Sequence, residues 1–323
     1  MPIAALATFV AATAAVVILL RGVTWLPLAQ PSARSLHVTP VTRVGGVSIG
    51  AGVLVGMPAW PPLPGIPAAS AWVVGAAVCL VAAVSMVDDW RGTKATTRLA
   101  VQLAAALGVA WALPVGALAA AGIVVVTMWM ANLFNFMDGS DGLAAGAAIC
   151  GFATYAAAAY VSGNAALPFA CIALACIPFL AVNLPPARMF MGDVGSVTLG
   201  FAAAVLGIAG VIDGAWPAWL PLLAFITPIL DATLTLAARA SRRERLWQAH
   251  KSHYYQRFHQ LGAGHRGTFG LYTGLAVGTS ATAIGCAVTA PELGWVALGA
   301  WIVMLALLFA AIDYHWHRHS PTR

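Results

Sequence analysis

Apolar stretches of close to 20 residues recur along the whole chain, and this feature limits its fold more than any other. Only 8% of the 323 residues are charged, whereas a soluble domain carries about 25%. The bilayer core requires about 20 apolar residues for each crossing helix. The alternative, a very apolar soluble protein, is therefore a poor interpretation of the sequence. We predict an all-α polytopic membrane protein.

About 11 transmembrane helices are expected, with boundaries good to a few residues. The predicted spans are roughly 2–20, 45–59, 70–87, 99–113, 116–134, 142–161, 166–183, 196–212, 217–237, 268–289 and 294–312. The second and the fourth of these spans are short. One integral-membrane domain, residues 1–323, accounts for all of them.

The distribution of charge orients these spans in the membrane. Successive spans cross the membrane in alternating directions, so the segments between them alternate between its two sides. All 16 Lys and Arg residues fall in segments on one side, whereas the loops on the opposite side carry only Asp213 and Glu292 as charged residues. The positive-inside rule therefore predicts a periplasmic N-terminus and a cytoplasmic C-terminus. The cytoplasmic loops are expected to form the active site, and they are 21–44, 88–98, 135–141, 184–195 and 238–267.

Charge and cysteine usage exclude several function classes. The net charge of +6 does not indicate nucleic-acid binding, because no basic domain interleaved with aromatic residues is present. The cations instead face anionic lipid head groups or a phosphorylated substrate. The 5 cysteines lie in or beside apolar runs without a CxxC pair, which argues against a disulfide framework and a zinc site.

An acidic pair ends the third span in "VDDWRGTKATTRL". Adjacent carboxylates such as Asp88 and Asp89 repel each other, so they usually need a cation, a metal ion or a shared proton. They are suited to binding magnesium or to taking a proton from a substrate. A solvated helix end is the alternative.

Two further stretches combine glycine with oxygen ligands. In "NLFNFMDGSDG" the polar residues Asn135, Asp138 and Asp141 recur at three-residue spacing and suit magnesium, although Asp141 could also be the N-cap of the sixth span. In "MGDVGS" a glycine-rich turn leads into a helix and offers N–H groups to phosphate. There, Asp193 or Ser196 as an N-cap is the alternative.

Two basic segments complete the polar groups. In "RSLHVTPVTRVGG", His37 and Arg43 suit phosphate and the paired glycines allow a ligand to approach the backbone. The long inner loop holds His250, His253, His259 and His265, which with its arginines suit a diphosphate. An ordinary basic loop and a surface amphipathic helix are the respective alternatives.

Asp231 lies inside the ninth span, in "ITPILDATLTLAAR". A carboxylate within a span is costly and is a functional candidate by default. Arg239 follows about two helical turns later, so Asp231 is expected near the cytoplasmic end. A direct role and a structural partnership with the basic loop both remain open.

Together and in this order, these groups resemble the polyprenyl-phosphate N-acetylhexosamine-1-phosphate transferases, a superfamily that includes the phospho-N-acetylmuramoyl-pentapeptide transferases. The resemblance extends from "RSLHVTPVTRVGG" to "GAGHR". It implies an enzyme of the bacterial inner membrane that moves a sugar 1-phosphate from a UDP-N-acetylhexosamine to undecaprenyl phosphate on the cytoplasmic side, releasing UMP. Mg2+ is the implied cofactor, with Mn2+ as a substitute, and a homodimer is the candidate assembly.

The resemblance also implies a role for each matching residue. Asp88 and Asp89 match the pair proposed to deprotonate or orient the lipid phosphate, with Asp193 as a third catalytic carboxylate. Asn135 and Asp193 match the magnesium ligands. Asp138 and Asp141 match the acidic pair that shapes the nucleotide site. The remaining expected substrate-binding residues are Arg98, His250, His253, Arg257, Arg43 and His37.

One motif departs from the family pattern. The hexosamine branch commonly has His-x-His-His-Arg-Leu, whereas this chain has "HYYQRF", with Tyr255 and Gln256 in place of two histidines. His250, one turn earlier, is expected to substitute in part. The pattern looks like a subgroup that starts O-antigen or related glycans, and the donor sugar stays open between N-acetylglucosamine and a 6-deoxy relative.

Three alternatives remain at this stage. A transporter or flippase of an anionic lipid-linked or nucleotide substrate would place polar residues near the bilayer midplane, not at span ends. A pentapeptide-sugar transferase of the same superfamily would have a triple histidine that is missing here. For the transferase chemistry we expect direct attack by the lipid phosphate, with a covalent aspartyl intermediate as the other route.

Overall fold

The computed structural model describes residues 2–22, 28–29, 41–245 and 250–319. Its helices are α1 (Pro2–Arg21), α2 (Gly45–Gly56), α3 (Ala71–Arg91), α4 (Ala95–Ala112), α5 (Ala117–Met137), α6 (Leu143–Val161), α7 (Leu167–Asn183), α8 (Asp193–Ile212), α9 (Trp219–Ala224), α10 (Ile226–Ser241), α11 (Tyr254–Phe258), α12 (Gly264–Thr289) and α13 (Gly294–His319). Two short strands, β1 (Leu28–Ala29) and β2 (Val41–Thr42), pair antiparallel.

This architecture confirms the all-α polytopic membrane class. Within the described residues, 8 helical segments are long and apolar enough to cross a membrane, and the apolar helices Gly45–Ala59 and Leu167–Asn183 are shorter. The predicted ninth span is broken at Phe225 into α9 and α10. The total of eleven crossings therefore stays a prediction, although each predicted span has a helical counterpart.

Several helices extend beyond their predicted apolar spans. Helix α3 continues to Arg91 and α4 begins at Ala95, each about one turn past the predicted boundary. Helix α8 begins at Asp193, three residues before the predicted 196. Hydropathy marks the thickness of the lipid core and not the length of a helix, so polar turns at the span ends were not predicted as helical.

The bundle is organised around α8, which packs against α3 and α5. At Gly200 a side chain would collide with the carbonyl oxygen of Met130, so the absence of a Cβ lets α8 approach α5 closely. An aromatic cluster around Tyr155 packs nearby, with Phe152, Phe169, Trp216 and Phe225 at ring-centroid distances of 5.1 to 5.9 Å. The Tyr155 hydroxyl donates to the Ala203 carbonyl of α8 at 3.1 Å, which ties this cluster to the central helix.

Candidate active site

Polar side chains from four helices meet at one end of the bundle. The Arg98 guanidinium, on the first turn of α4, donates to Asp88 at the end of α3 and to Asp193 Oδ2 at 3.1 Å. The amide of Asn135, near the end of α5, lies 3.4 Å from the same Asp193 oxygen. Side chains from two motifs that are far apart in sequence therefore converge on the carboxylate of a third, at the start of α8.

Asp88 is held by three donors. Its Oδ1 accepts the Thr93 backbone N–H at 2.5 Å and the Thr93 hydroxyl at 2.6 Å, while Oδ2 accepts from Arg98. The Asp88 side chain is 10% exposed, whereas that of Arg98 is 32% exposed. This arrangement favours a role for Asp88 in orienting Arg98 towards an anion. Thr93 was not predicted from the sequence.

Asp89 caps the N-terminus of α8. Its two carboxylate oxygens accept the backbone N–H groups of Asp193 at 3.0 Å and of Val194 at 2.9 Å. A side chain at Gly192, whose φ is +74°, would lie 2.7 Å from Asp89 Oδ2, so the turn requires glycine. The cap thus comes from α3 and not from Asp193 or Ser196. Because both Asp89 oxygens are occupied, the geometry favours positioning of Asp193 over the expected catalytic role.

Asp138 joins the same group from the turn after α5. Withdrawal of its carboxyl group from solvent raises the pKa of Asp138 well above its ordinary value. The guanidinium of Arg43 and the N–H of Gly192 oppose this rise in pKa, whereas the carboxylates of Asp193 and Asp89 add to it. Asp138 therefore faces the turn that opens α8.

The second aspartate of the "DGSDG" turn faces a different set of groups. Asp141 is 2% exposed, accepts the Ala187 N–H at 3.0 Å and lies 3.7 Å from Nδ1 of His265. Burial raises the pKa of Asp141, and the histidines and the Ala187 N–H counteract the rise. His265 Nδ1 is also 3.3 Å from the Ser140 hydroxyl. Asp141, in the turn between α5 and α6, thus binds the backbone of the turn between α7 and α8 and keeps the two turns together.

Asn183, which was not predicted, supports both of these turns. Its Oδ1 accepts the Gly142 N–H at 2.9 Å and its Nδ2 donates to the Met189 carbonyl at 2.8 Å. The residue is 3% exposed and ends the otherwise apolar helix α7. A lone amide at the end of an apolar helix was the available signal in the sequence.

The first basic segment packs against protein rather than opening towards a ligand. Gly45 and Gly46 at the start of α2 donate their N–H groups to the carbonyls of Phe190 and Met191 at 2.9 and 2.8 Å. The expectation that these glycines admit a ligand is therefore corrected, because their N–H groups are already bonded to protein. Arg43 lies close enough to lower the pKa of Asp138. His37 lies outside the described residues.

The long basic loop reaches the site through α11. The Tyr255 hydroxyl donates to the Phe136 carbonyl at 2.9 Å, and the His253 ring lies 5.6 Å from the Phe136 ring. His250 stacks on His253 at 4.9 Å. Burial and the nearby charges of His253 and Arg239 lower the pKa of His250 to about 4. His250 is therefore neutral at pH 7, which disfavours its expected role as a charged phosphate ligand.

Arg257 departs from the expected arrangement. Its guanidinium pairs with Asp313 on α13 and lies 5.3 Å from the centre of the Tyr254 ring. The Arg257 side chain is 6% exposed, so it is largely buried between α11 and α13. This pairing favours anchoring of the loop to the last helix over the expected binding of substrate.

The charges at the centre of the site do not balance. The four carboxyl groups of Asp88, Asp89, Asp138 and Asp193 face two guanidinium groups, those of Arg43 and Arg98. Like charges at this spacing are costly unless a cation or protons compensate them. A divalent cation would remove this excess of negative charge.

The available ligands fit an open magnesium site. Among the described residues, no three His, Cys, Asp or Glu side chains could enclose a metal ion. Mg2+, however, usually takes one or two protein carboxylates and completes its shell with waters and substrate phosphates. Asn135 and Asp193 provide such oxygen ligands beside a cavity of about 20 Å3 that Arg98 also lines. A cavity of this size holds roughly one water-sized group.

Comparison with known proteins gives consistent matches. The model of glycosyl transferase family 4 matches residues 71–211, which contain the convergent motifs. The decaprenyl-phosphate N-acetylglucosaminephosphotransferase of Mycobacterium tuberculosis is 31% identical over 284 residues, covering 74% of this chain and 70% of the relative. The probable undecaprenyl-phosphate N-acetylglucosaminyl 1-phosphate transferase of Bacillus subtilis is 29% identical over 259 residues, covering 73% and 71%.

A second branch matches over a shorter stretch. The phospho-N-acetylmuramoyl-pentapeptide-transferase of Staphylococcus epidermidis is 32% identical over 138 residues, which is 41% of this chain and 42% of the relative. The hexosamine relatives therefore match over a longer part of the chain, in agreement with the sequence motifs.

Proposed function

The chain belongs to glycosyl transferase family 4, and we propose that this multi-pass membrane phosphotransferase moves an N-acetylhexosamine 1-phosphate from a UDP-sugar to undecaprenyl phosphate. The observation that carries the proposal is the meeting of Asp88, Arg98 and Asp193 at one end of the bundle. Phosphoryl transfer needs mainly positioning and neutralisation of charge, and this cluster offers both.

The reaction joins two anionic substrates. An oxygen of the lipid phosphate attacks the phosphorus that carries the sugar, and the bond from that phosphorus to the UMP oxygen breaks. Arg98 and Arg43 would hold the phosphates, while Asp88 keeps the Arg98 guanidinium in place. Mg2+, held by Asn135 and Asp193 when bound, would neutralise the diphosphate and stabilise the departing UMP.

Direct attack agrees with the hydrogen bonds of the acidic pair. Asp88 accepts three hydrogen bonds and Asp89 accepts two from the α8 backbone, so both carboxylates are held by protein donors and are weaker nucleophiles than a free carboxylate. The acceptor phosphate has a second pKa near 6 by analogy with phosphoserine, so it is mostly a dianion at neutral pH. Inversion at a chiral donor phosphorus would support direct attack, whereas retention would indicate a covalent aspartyl intermediate.

We propose UDP-N-acetylglucosamine as the first donor to test, ahead of a 6-deoxy relative. The M. tuberculosis and B. subtilis relatives are named for N-acetylglucosamine. Tyr255 and Gln256, which replace the family histidines, are 1% and 4% exposed. Because these two side chains pack inside the protein, their presence gives little ground for a different sugar. The product would start O-antigen or another cell-envelope glycan.

The proposed location is the bacterial inner membrane, with the site on the cytoplasmic side. The arrangement of Lys and Arg supports this orientation. A homodimer stays a prediction. The clustering of polar groups at helix ends disfavours a transporter, whose substrate site would lie near the midplane.

The test uses purified protein in lipid nanodiscs with Mg2+, undecaprenyl phosphate and a panel of UDP-N-acetylhexosamines. We expect release of UMP and formation of a lipid diphosphate-linked sugar with UDP-N-acetylglucosamine. Absence of UMP with every donor would contradict the proposal. Flux of substrate into proteoliposomes without bond cleavage would instead support the transporter.

A further inference from the structure

Asp231 in α10 is a buried carboxylate that the proposed chemistry does not use. The residue is 0% exposed. Its Oδ1 accepts the Tyr254 backbone N–H at 3.1 Å and lies 3.1 Å from Nδ1 of His253. Its Oδ2 accepts the Tyr255 N–H at 3.0 Å and the Tyr272 hydroxyl. Donors from the basic loop and from α12 thus converge on one side chain.

These contacts decide how the basic loop is attached to the bundle. The N–H groups of Tyr254 and Tyr255 open α11 and would otherwise lack partners within that helix. Their bonds to Asp231 fix the start of α11 on α10, and Tyr272 adds α12 to the same junction. Of the two roles that the sequence left open for Asp231, the contacts favour partnership with the loop.

The same carboxylate also orients His253. Nδ1 of His253 faces Oδ1 of Asp231, and because a carboxylate only accepts hydrogen bonds, this contact favours the tautomer with the hydrogen on Nδ1 and leaves Nε2 for another partner. The ring is 3% exposed and lies between His250 at 4.9 Å and Tyr255 at 5.8 Å. It also contacts Phe136, the residue that directly follows Asn135. His253 is therefore held against α5, the helix that carries the proposed magnesium ligand Asn135.

We propose that Asp231 is a positioning residue that presents Nε2 of His253 to the donor diphosphate, an inference that rests on the proposed transferase function. A carboxylate on Nδ1 fixes the tautomer and stabilises positive charge on the ring when an anion approaches Nε2. Asp231 itself touches no substrate. Its loss would therefore weaken donor binding through His253 while leaving the binding of the lipid phosphate unchanged.

The test compares Asp231→Asn, His253→Ala and the double variant, with Tyr272→Phe as the matched control. Tyr272→Phe removes one hydrogen bond to the same carboxylate without touching His253. Hydrogen bonds to charged groups contribute about 1.5–3 kcal/mol, which corresponds to a KM change of roughly 10- to 100-fold. We expect Asp231→Asn to raise the KM for UDP-N-acetylglucosamine by about that factor, with the KM for undecaprenyl phosphate unchanged and kcat altered less.

The double variant separates positioning from general support of the fold. If Asp231 acts through His253, the double variant should have the same KM as His253→Ala, because the two changes remove one interaction. Full multiplication of the two effects, or an unchanged KM in a folded Asp231→Asn protein, would overturn the inference. Should Asp231→Asn fail to fold, an unchanged donor KM in His253→Ala would overturn it equally. Wild-type protein that releases no UMP would overturn the transferase function as well.

Discussion

The role of Asp89 as the cap of α8 makes a prediction that distinguishes it from its neighbour Asp88. In Asp89→Ala the N–H groups of Asp193 and Val194 lose both of their carboxylate acceptors. In Asp88→Ala those two bonds remain, because Asp88 binds Thr93 and Arg98 instead. The two adjacent aspartates should therefore differ in their effect on the first turn of α8.

The size of the effect follows from the two hydrogen bonds. Loss of an N-cap side chain costs roughly 0.5–2 kcal/mol. Asp89 is only partly buried, so water replaces part of the lost interaction, and we expect the opening of this turn to become easier by about 1–2 kcal/mol. A change of this size alters an equilibrium by a factor of about 5–30.

Hydrogen–deuterium exchange by mass spectrometry on a peptide spanning residues 189–197, in nanodiscs, measures this opening directly. Exchange at Asp193 and Val194 should rise by the factor given above in Asp89→Ala and stay at the wild-type rate in Asp88→Ala. Equal exchange in wild type and Asp89→Ala would refute the cap. A rise of the same size in Asp88→Ala would show that the effect is not specific to the loss of Asp89.

Three further predictions concern catalysis, packing and metal. Asp88→Asn and Asp193→Asn should each nearly abolish UMP release, because each change alters a contact with Arg98. The thermal unfolding midpoint of the protein should change little. A near-normal rate in either variant would remove the substituted residue from the site. Asn183→Ala should lower the free energy of unfolding by about 1–3 kcal/mol, since it leaves Gly142 N–H and the Met189 carbonyl unpaired; an unchanged denaturation midpoint would contradict this. EDTA should stop turnover and Mg2+, or Mn2+ in its place, should restore it; turnover that persists in EDTA would argue against the metal.

Two carboxylates that the sequence marked as functional candidates bind helix N-termini. Asp89 binds the first N–H groups of α8, and Asp231 binds those of α11. Each carboxylate comes from a different helix than the one it caps, so the start of each site helix is fixed by long-range contact. This arrangement helps to hold Asp193 and His253 in place, and at α11 the side chain of Gln256 adds a local cap by accepting the His253 N–H at 3.2 Å.

The helical class and the convergence of the motifs could be predicted because both depend on patterns along the chain. Apolar runs report the lipid environment, and alternation of the spans brings the ends of α3, α5 and α8 to one face. Asn135, Asp138 and Asp193 accordingly lie in one group in the structure.

Hydrogen-bond partners could not be predicted, because they depend on which helix ends meet in space. The local sequence suggested Asp193 or Ser196 as the cap of α8. The cap is instead the carboxylate of Asp89, which lies more than 100 positions earlier in the chain. The break of the ninth span at Phe225 was missed for a related reason. The run of apolar residues continues through the break, so hydropathy alone shows one span.

Transfer of the β-phosphorus is the central claim, and following that atom tests it most directly. UDP-N-acetylglucosamine labelled with 32P at the β-phosphate is incubated with the protein, Mg2+ and undecaprenyl phosphate in nanodiscs. The label should appear in the lipid diphosphate-linked sugar, and the released UMP should carry none. Label that stays in the nucleotide, or that appears only in free sugar phosphate, would contradict transfer to the lipid.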